Sequence, residues 1–362
     1  MSVEKKIKIL EISGGLSTEG IGVFLLNTFE NIDKDRFQLD FALATKYEQV
    51  FEERIKQQGG KIYRTFEIGE GIKGKIKHAI NLYKLLNREK YNVVHSHMDF
   101  FNGLNLLVAF LARVPMRISH AHVANNKETS FLVSLYYGAM RGLIQLFSTK
   151  KLGCSSAANQ FVNGNGKVLW NGIDTEKFSK NQINLPENIT IDKSKKNIIT
   201  VGRMDEAKNP FYILNMIQEL IKINPQVHFY WIGWGSFYEE IKKTVEQNHW
   251  EHYISILGTR NDVERFLPKM EAFILPSKYE GFGIVLAEAQ AAGLKCFISE
   301  NVPPEVNIGL CETIPLNKGE KYWAEKINEF LTNENKEISK VDLQKIDIRN
   351  TIITLEKEYT AP

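Results

Sequence analysis

Short apolar runs alternate with amphipathic stretches along almost the whole chain. In the first half the runs are residues 7–12, 37–44, 91–97, 117–122, 152–154 and 167–170. In the second half they are residues 197–201, 226–232, 253–257, 272–276 and 294–299. Each is short and continuous, and most are bounded by Gly, Pro or Asn, the pattern of a buried parallel strand. Between them, residues 21–29, 50–58, 72–86, 101–111 and 131–147 carry apolar positions at helical spacing. So do residues 211–223, a stretch ending at Gln247, residues 263–267, 284–292, 321–331 and a tail over 346–359. Strand and helix in strict alternation predict an α/β protein with parallel sheets.

A chain of 362 residues is long for one domain and suits two. The break is expected where Asn171-Gly172-Ile173-Asp174 and Phe178 mark a crossover and the polar segment 179–196 forms the connection. This predicts one Rossmann-like domain over 1–175, a second over 176–344, and a closing helix over 345–362.

Candidate chemistry gathers at strand ends. The run 272–276 stops at Pro276, the turn Glu280-Gly281-Phe282-Gly283 follows, and a helix pattern runs on to Gly293. In an open parallel sheet, ligands sit at the carboxyl ends of such strands, beside helix N-termini. Glu280 lies at the mouth of the turn, and Glu288 falls about two helical turns further in. A helix dipole alone accounts for an acid at Glu280. It does not account for Glu288, an acid among Leu286, Ala287, Ala289 and Ala291 that needs a partner once buried. Ligand hydroxyls would serve, because a carboxylate accepts and does not donate.

Two other loops have the same placement. Gly202-Arg203-Met204-Asp205-Glu206-Ala207-Lys208-Asn209-Pro210 follows the strand 197–201, and its two cations can neutralise a diphosphate. Ser13-Gly14-Gly15 opens a glycine loop between the first strand and first helix, where backbone N–H groups can meet an anion. It lacks the G-x-G-x-x-G spacing of a dinucleotide fingerprint. Gly233-Trp234-Gly235 forms a third glycine turn. His95, His97, His120 and His122 come from two strand ends. Core or capping histidines remain open for each, and no Cys or H-x-x-x-H helix supports a zinc site.

Taken together, these motifs resemble family 4 glycosyltransferases, retaining enzymes of the GT-B fold. The resemblance covers essentially the whole chain and is strongest from Asn171 to Glu305. Gly202, Arg203, Lys208 and Asn209 match the family's G-R-x-x-x-x-K-(N/G) motif. The tail from Ser277 to Glu305 looks most like bacterial capsule and exopolysaccharide members. The resemblance implies an acceptor-binding first domain and a donor-binding second, facing across a cleft that closes during turnover, with the last helix crossing back to the first domain. It implies a hexosyl unit moved from a nucleotide sugar, a UDP-sugar by preference, to a glycan acceptor linked to undecaprenyl diphosphate. Arg203 and Lys208 would hold the diphosphate, with Gly202 and Gly233 beside the nucleotide. Glu288 would hold the ribose. Glu280 with Gly281, Phe282 and Gly283 would hold the sugar. Gly14 and Gly15 would touch the donor phosphate, and Gly15, His120 and His122 would lie on the acceptor side, His122 orienting the sugar or the incoming hydroxyl. No metal and no cofactor is expected. Rival readings are a sugar-nucleotide epimerase or phosphorylase of the same fold, and a non-catalytic partner subunit.

Charge sharpens the picture of partners. Residues 1–175 hold 23 Lys and Arg against 16 Asp and Glu, while residues 176–362 hold 23 against 27. A basic first half suits an anionic lipid surface, although a solvated face explains it equally well. The basic helix pattern 72–86 carries the same pair of readings, and the apolar stretch 131–147 is open between core and an acceptor-side surface. Nothing matches a nucleic-acid-binding module. No apolar run is long enough to span a membrane and none at the N-terminus reads as a signal peptide, so a cytoplasmic location is expected, peripheral at the membrane's inner face. Cys154, Cys296 and Cys311 are far apart in sequence and sit in apolar runs, which fits buried free thiols. Asp33-Lys34-Asp35 has the form of the D-x-D metal motif of another glycosyltransferase fold, but its place in a polar turn reads as a turn.

Overall fold

A computed structural model describes residues 5–18, 20–65, 71–124, 130–178, 184–186, 189–333 and 341–361. Met1–Glu4, Glu19 of the first glycine loop and parts of the connection 179–196 lie outside the described residues. The chain divides into two units, Met1–Gly172 with Ile348–Pro362, and Ile173–Asp347.

In the first unit the strands are β1 (Ile7–Ser13), β2 (Phe37–Leu43), β3 (Ile62–Arg64), β4 (Val93–Ser96), β5 (Met116–Ala121), β6 (Lys150–Gly153) and β7 (Lys167–Val168). They form one parallel sheet in the order β3-β2-β1-β4-β5-β6-β7. The helices are α1 (Gly20–Asn31), α2 (Glu52–Gln57), α3 (Gly71–Glu89), α4 (Asn102–Leu111), α5 (Phe131–Phe147) and the single turn α6 (Ser156–Ala158). Strand alternation sends Ile9, Val93 and Ile118 to one face, under Phe24 and Leu25 of α1. Leu10, Ile12 and Val94 go to the other, under α3 and α4.

The second unit holds β8 (Lys196–Val201), α7 (Pro210–Ile223), β9 (Val227–Ile232), α8 (Tyr238–Gln247), β10 (Ile254–Gly258), β11 (Ala272–Leu275), α9 (Ile284–Ala291), β12 (Lys295–Ile298), β13 (Cys311–Thr313) and α10 (Gly319–Thr332). Its parallel sheet runs β10-β9-β8-β11-β12-β13. Trp231 and Trp323 are among the largest fully buried side chains of the core.

The last helix, α11 (Ile348–Thr360), joins the first unit. Ile348, Ile352, Leu355 and Tyr359 recur at helical spacing and are buried. Leu355 and Tyr359 enter the core cluster beside α1, and each such side chain contributes roughly 1.5–3 kcal/mol on full burial.

Several expectations change. The edge strands β3 and β13 have three residues each, too few for a periodicity to show. The stretch 263–267 forms two 3-10 turns, Val263–Arg265 and Leu267–Lys269; Pro268 denies an α-helix its hydrogen bond. In α5 only Ile144 is buried, so this apolar helix is largely surface. Cys296 and Cys311 are register partners on adjacent strands, free thiols brought side by side, and Cys311 is only half-buried. Asp33-Lys34-Asp35 is a turn closed by the Asp35 amide donating to Asp33 Oδ1 at 2.9 Å.

Candidate functional site

In each unit the strand order reverses beside the first strand, between β1 and β4 and between β8 and β11. In open α/β sheets ligands bind at such switch points, and the sequence-selected residues lie there.

In the second unit, the loop after β8 carries Gly202, Arg203 and Lys208, and the loop after β11 carries Ser277 to Gly283. The Asp205 side chain caps the turn Glu206–Lys208 by accepting from the Ala207 amide at 3.1 Å. Asn209 takes a left-handed conformation, φ 57°, and Pro210 starts α7 at the position where its missing N–H costs nothing. The Lys278 amide donates to the Ala207 carbonyl at 2.8 Å, tying the two loops together. Across that tie Lys208 Nζ donates to Glu280 Oε1, and Ser277 Oγ donates to the same oxygen at 2.8 Å. Lys208 and Glu280 are mostly buried, so the pair is shielded from salt and water. Arg203 pairs with Asp205 at 3.0 Å and stays more than half exposed.

Gly283 stands at the N-cap of α9 with φ 82°, a conformation glycine adopts without strain. The Leu286 amide bonds the Gly283 carbonyl at 2.8 Å, and the two amides before it, of Ile284 and Val285, have no acceptor within α9. Phe282 is buried, so that turn can offer a ligand backbone rather than side chain there. At Gly233 a Cβ would stand 1.9 Å from the Gly202 carbonyl oxygen, and at Gly235 one would press on the Met204 backbone at 2.6 Å. These two glycines let neighbouring loops approach backbone to backbone, a packing reason that the sequence did not disclose.

Glu288 lies buried on α9 with no hydrogen-bond partner among the described residues. Burial, with a smaller push from Glu264, raises it to about 8. These surroundings hold Glu288 toward its protonated form. An orphan buried carboxyl of this kind fits a ligand that brings hydroxyls.

In the first unit, Gly14 and Gly15 follow β1, and the Gly15 amide faces Ser13 Oγ at 3.4 Å. His120 closes on β5 and His122 lies one residue past its end. All four histidines are buried, with His122 the outermost at 7 % exposure. Phe24 of α1 packs against His97, His120 and His122 at ring-centroid distances of 5.8, 5.3 and 5.8 Å. Asp99 accepts from the amides of His122 at 2.8 Å and Val123 at 3.2 Å, which fixes the chain leaving β5. Burial raises Asp99 to about 6 against the pull of those two amides.

Sequence reasoning missed the group around which these rings assemble. Glu11 of β1 is buried, opposite His95 in register. Its Oε2 lies 2.7 Å from His97 Nε2, and its Oε1 lies 2.9 Å from Tyr359 Oη. Burial opposes the charge on Glu11, but His95 and His97 outweigh it and hold the carboxyl far below its usual range. Burial lowers His97 to about 4 and takes His120 and His122 well below 6.5. A charged residue inside the apolar run Ile9-Leu10-Glu11-Ile12 was the signal that could have found it. Ring nitrogens of His95, His97 and His120 lie within 4.8 Å of one another, a spacing that could hold an ion. The same rings already bond one another, Glu11 and Tyr359.

Two sheets of this order, each with polar residues at its switch point, define a GT-B protein. Residues 181–342, most of the second unit, match the family model described as glycosyl transferases group 1. Over 338 residues the chain is 27% identical to a putative glycosyltransferase, EpsF, of Bacillus subtilis, covering 88% of this chain and 86% of that one. Over 247 residues, 62% of either chain, it is 30% identical to an Escherichia coli UDP-Gal:alpha-D-GlcNAc-diphosphoundecaprenol alpha-1,3-galactosyltransferase. Its fold is similar to that of Anabaena HepE, solved with UDP and glucose: TM-score 0.79, 17% identity, 98% of this chain and 100% of that one.

Proposed function

We propose that this chain is a retaining, metal-independent glycosyltransferase. It moves a hexosyl unit from a UDP-sugar to a hydroxyl of a glycan linked to a lipid diphosphate, in the assembly of a capsular or exported polysaccharide. The observation that carries the reading is the Lys208–Glu280 pair at the β8/β11 switch point, beside Arg203 and the N-terminus of α9. The galactosyltransferase relative supports the UDP-sugar and the lipid diphosphate by its own substrates.

The chemistry breaks the bond between the anomeric carbon and the diphosphate, and negative charge grows on the leaving oxygen. Lys208 has three protons, so it can keep Glu280 and still donate to that oxygen. Arg203 and the first amides of α9 supply the rest of the charge relief without a metal. Glu288 receives the ribose hydroxyls, and Glu280 with the Gly281–Gly283 backbone holds the sugar. In this reading Gly14 and Gly15 contact the donor phosphate, and His120 and His122 serve the acceptor side. The incoming hydroxyl attacks the face that the diphosphate leaves, and the departing phosphate oxygen takes its proton.

A lipid-linked acceptor places the enzyme at the inner face of a membrane. No helix of the described residues is long and apolar enough to cross one. Helix α5 instead exposes Phe131, Leu132, Leu135 and Leu146, and α3 exposes Ile72, Ile76, Ile80 and Tyr83. Lys75 of α3 lies over the Tyr136 ring of α5 at 4.8 Å, joining the two faces. Apolar side chains beside lysines, on two helices whose one acid is Glu89 at the end of α3, suit peripheral contact with anionic lipid.

The test is a thermal-shift panel with UDP, GDP, ADP, UDP-sugars and NAD in EDTA. UDP or a UDP-sugar at ~100 times its Kd should stabilise by roughly 2.7 kcal/mol. A shift with NAD alone would refute the reading.

A further inference from the structure

The hydrogen bonds around Glu11 leave one arrangement of protons on the chain that leads to His122. A carboxylate has no proton to give, so every group facing it must donate. His97 therefore gives its Nε2–H to Glu11 Oε2 across 2.7 Å. A neutral imidazole has one N–H, so His97 Nδ1 is a lone pair. His97 Nδ1 lies 2.8 Å from His122 Nε2, and His122 must supply the proton of that bond. His122 Nδ1 is then a lone pair as well, and it is buried with no partner among the described residues. Tyr359 occupies the other carboxylate oxygen with its hydroxyl proton at 2.9 Å, and its own oxygen accepts from His95 Nδ1 at 2.8 Å. Tyr359 thus holds Glu11 in place from α11 without lying on the path to His122.

We propose that Glu11 and His97 are positioning residues that lock His122 in its Nε2–H tautomer, so that Nδ1 offers a lone pair to a substrate hydroxyl. The identity of that hydroxyl, on the donor sugar or the acceptor, rests on the glycosyltransferase reading above; the tautomer does not. An imidazole free to choose its tautomer would for part of the time turn an N–H to the hydroxyl, which could then only accept, and its own proton would lose its acceptor. A buried carboxylate acting through one ring on the next removes that choice, as partners behind a functional histidine generally do. His122 is the outermost of the four rings, which suits the end of such a relay.

The test reads protons directly. The protein is labelled with 15N-histidine and its ring nitrogens are observed by NMR without substrate, the His122 signals being assigned by their loss in His122→Gln. The expected result is Nε2 protonated and Nδ1 bare, in wild type and in Tyr359→Phe alike. Glu11→Leu should turn His122 into a mixture of tautomers and lower kcat about 10–100-fold with little change in donor KM. A protonated Nδ1 in the wild type overturns the proposal, as does a Glu11→Leu enzyme of full activity. So does uptake of one equivalent of Zn²⁺ that erases the His97 bonds. If Glu11→Leu fails to fold, the wild-type spectrum still decides. A bare Nδ1 in a protein that binds no nucleotide sugar would uphold the relay and fault the proposed function alone.

Discussion

The two units have the same architecture and opposite electrostatics. Each sheet reverses its order beside its first strand and gathers polar side chains there. In the first unit the group is sealed: one ionised carboxylate, Glu11, surrounded by buried rings, with His97, His120 and His122 all held toward the neutral form. In the second it is charged and partly open, with a Lys208–Glu280 pair, a half-exposed Arg203 and a helix N-terminus. Neutral rings ending in lone pairs suit hydroxyls. Paired cations at a dipole's positive end suit a diphosphate. One topology can thus serve two kinds of ligand, and what selects between them is whether the switch point is closed by aromatic side chains such as Phe24 or leaves a cation such as Arg203 exposed.

Removing the cation of the second unit should have the largest effect. Lys208→Ala is expected to lower kcat by about 10²–10³-fold, as loss of one charge-stabilising group does, while the Kd of the unreacted donor changes far less. Normal turnover in this variant would mean that the diphosphate is stabilised elsewhere.

A smaller effect should come from Glu288, an acid of the second unit that is buried without a hydrogen-bond partner among the described residues. Its proton is held up to about pH 8 in the fold and only to about 4.5 in the unfolded chain. The folded state therefore binds the extra proton between those values, so this group makes stability fall as pH rises through that window. Ribose hydroxyls donate best to the ionised form, so binding must first remove the proton. The affinity for a UDP-sugar, whose diphosphate does not titrate in this range, should rise by up to about tenfold per unit from pH 6 to 8 and then level off. Glu288→Gln should weaken binding and flatten the profile. Calorimetry at three pH values checks both; a flat wild-type profile would exclude Glu288 from the ribose contact.

The smallest effect concerns a surface that belongs to the first unit. Phe131→Ser with Leu135→Ser should reduce retention on anionic vesicles several-fold and leave UDP affinity unchanged. Equal retention of variant and parent in a flotation assay would remove α5 from the membrane contact.

Much of the second unit was legible because its chemistry is local. A Pro-bounded strand, a glycine turn and a helix follow one another within residues 272–293, and Arg203 and Lys208 share one loop with the Pro210 that starts a helix. Less of the first unit was legible. Glu11 and Tyr359 are 348 positions apart, and no spacing rule connects them. His120 and His122 were visible as strand-end residues, but which nitrogens face a partner depends on three strands meeting in register.

The alternation of strand and helix, the parallel sheets and the loops that carry glycine, arginine and acid are readable along the chain. These follow from period, turn chemistry and residues near one another in the chain. Only the folded chain shows that Lys208 meets Glu280 across 72 positions, that burial pushes Glu288 toward its protonated form, that α5 faces solvent, and that the histidines hang from one carboxylate. Burial and long-range contact set those properties, because charge state and partner depend on what surrounds a side chain rather than on what precedes it.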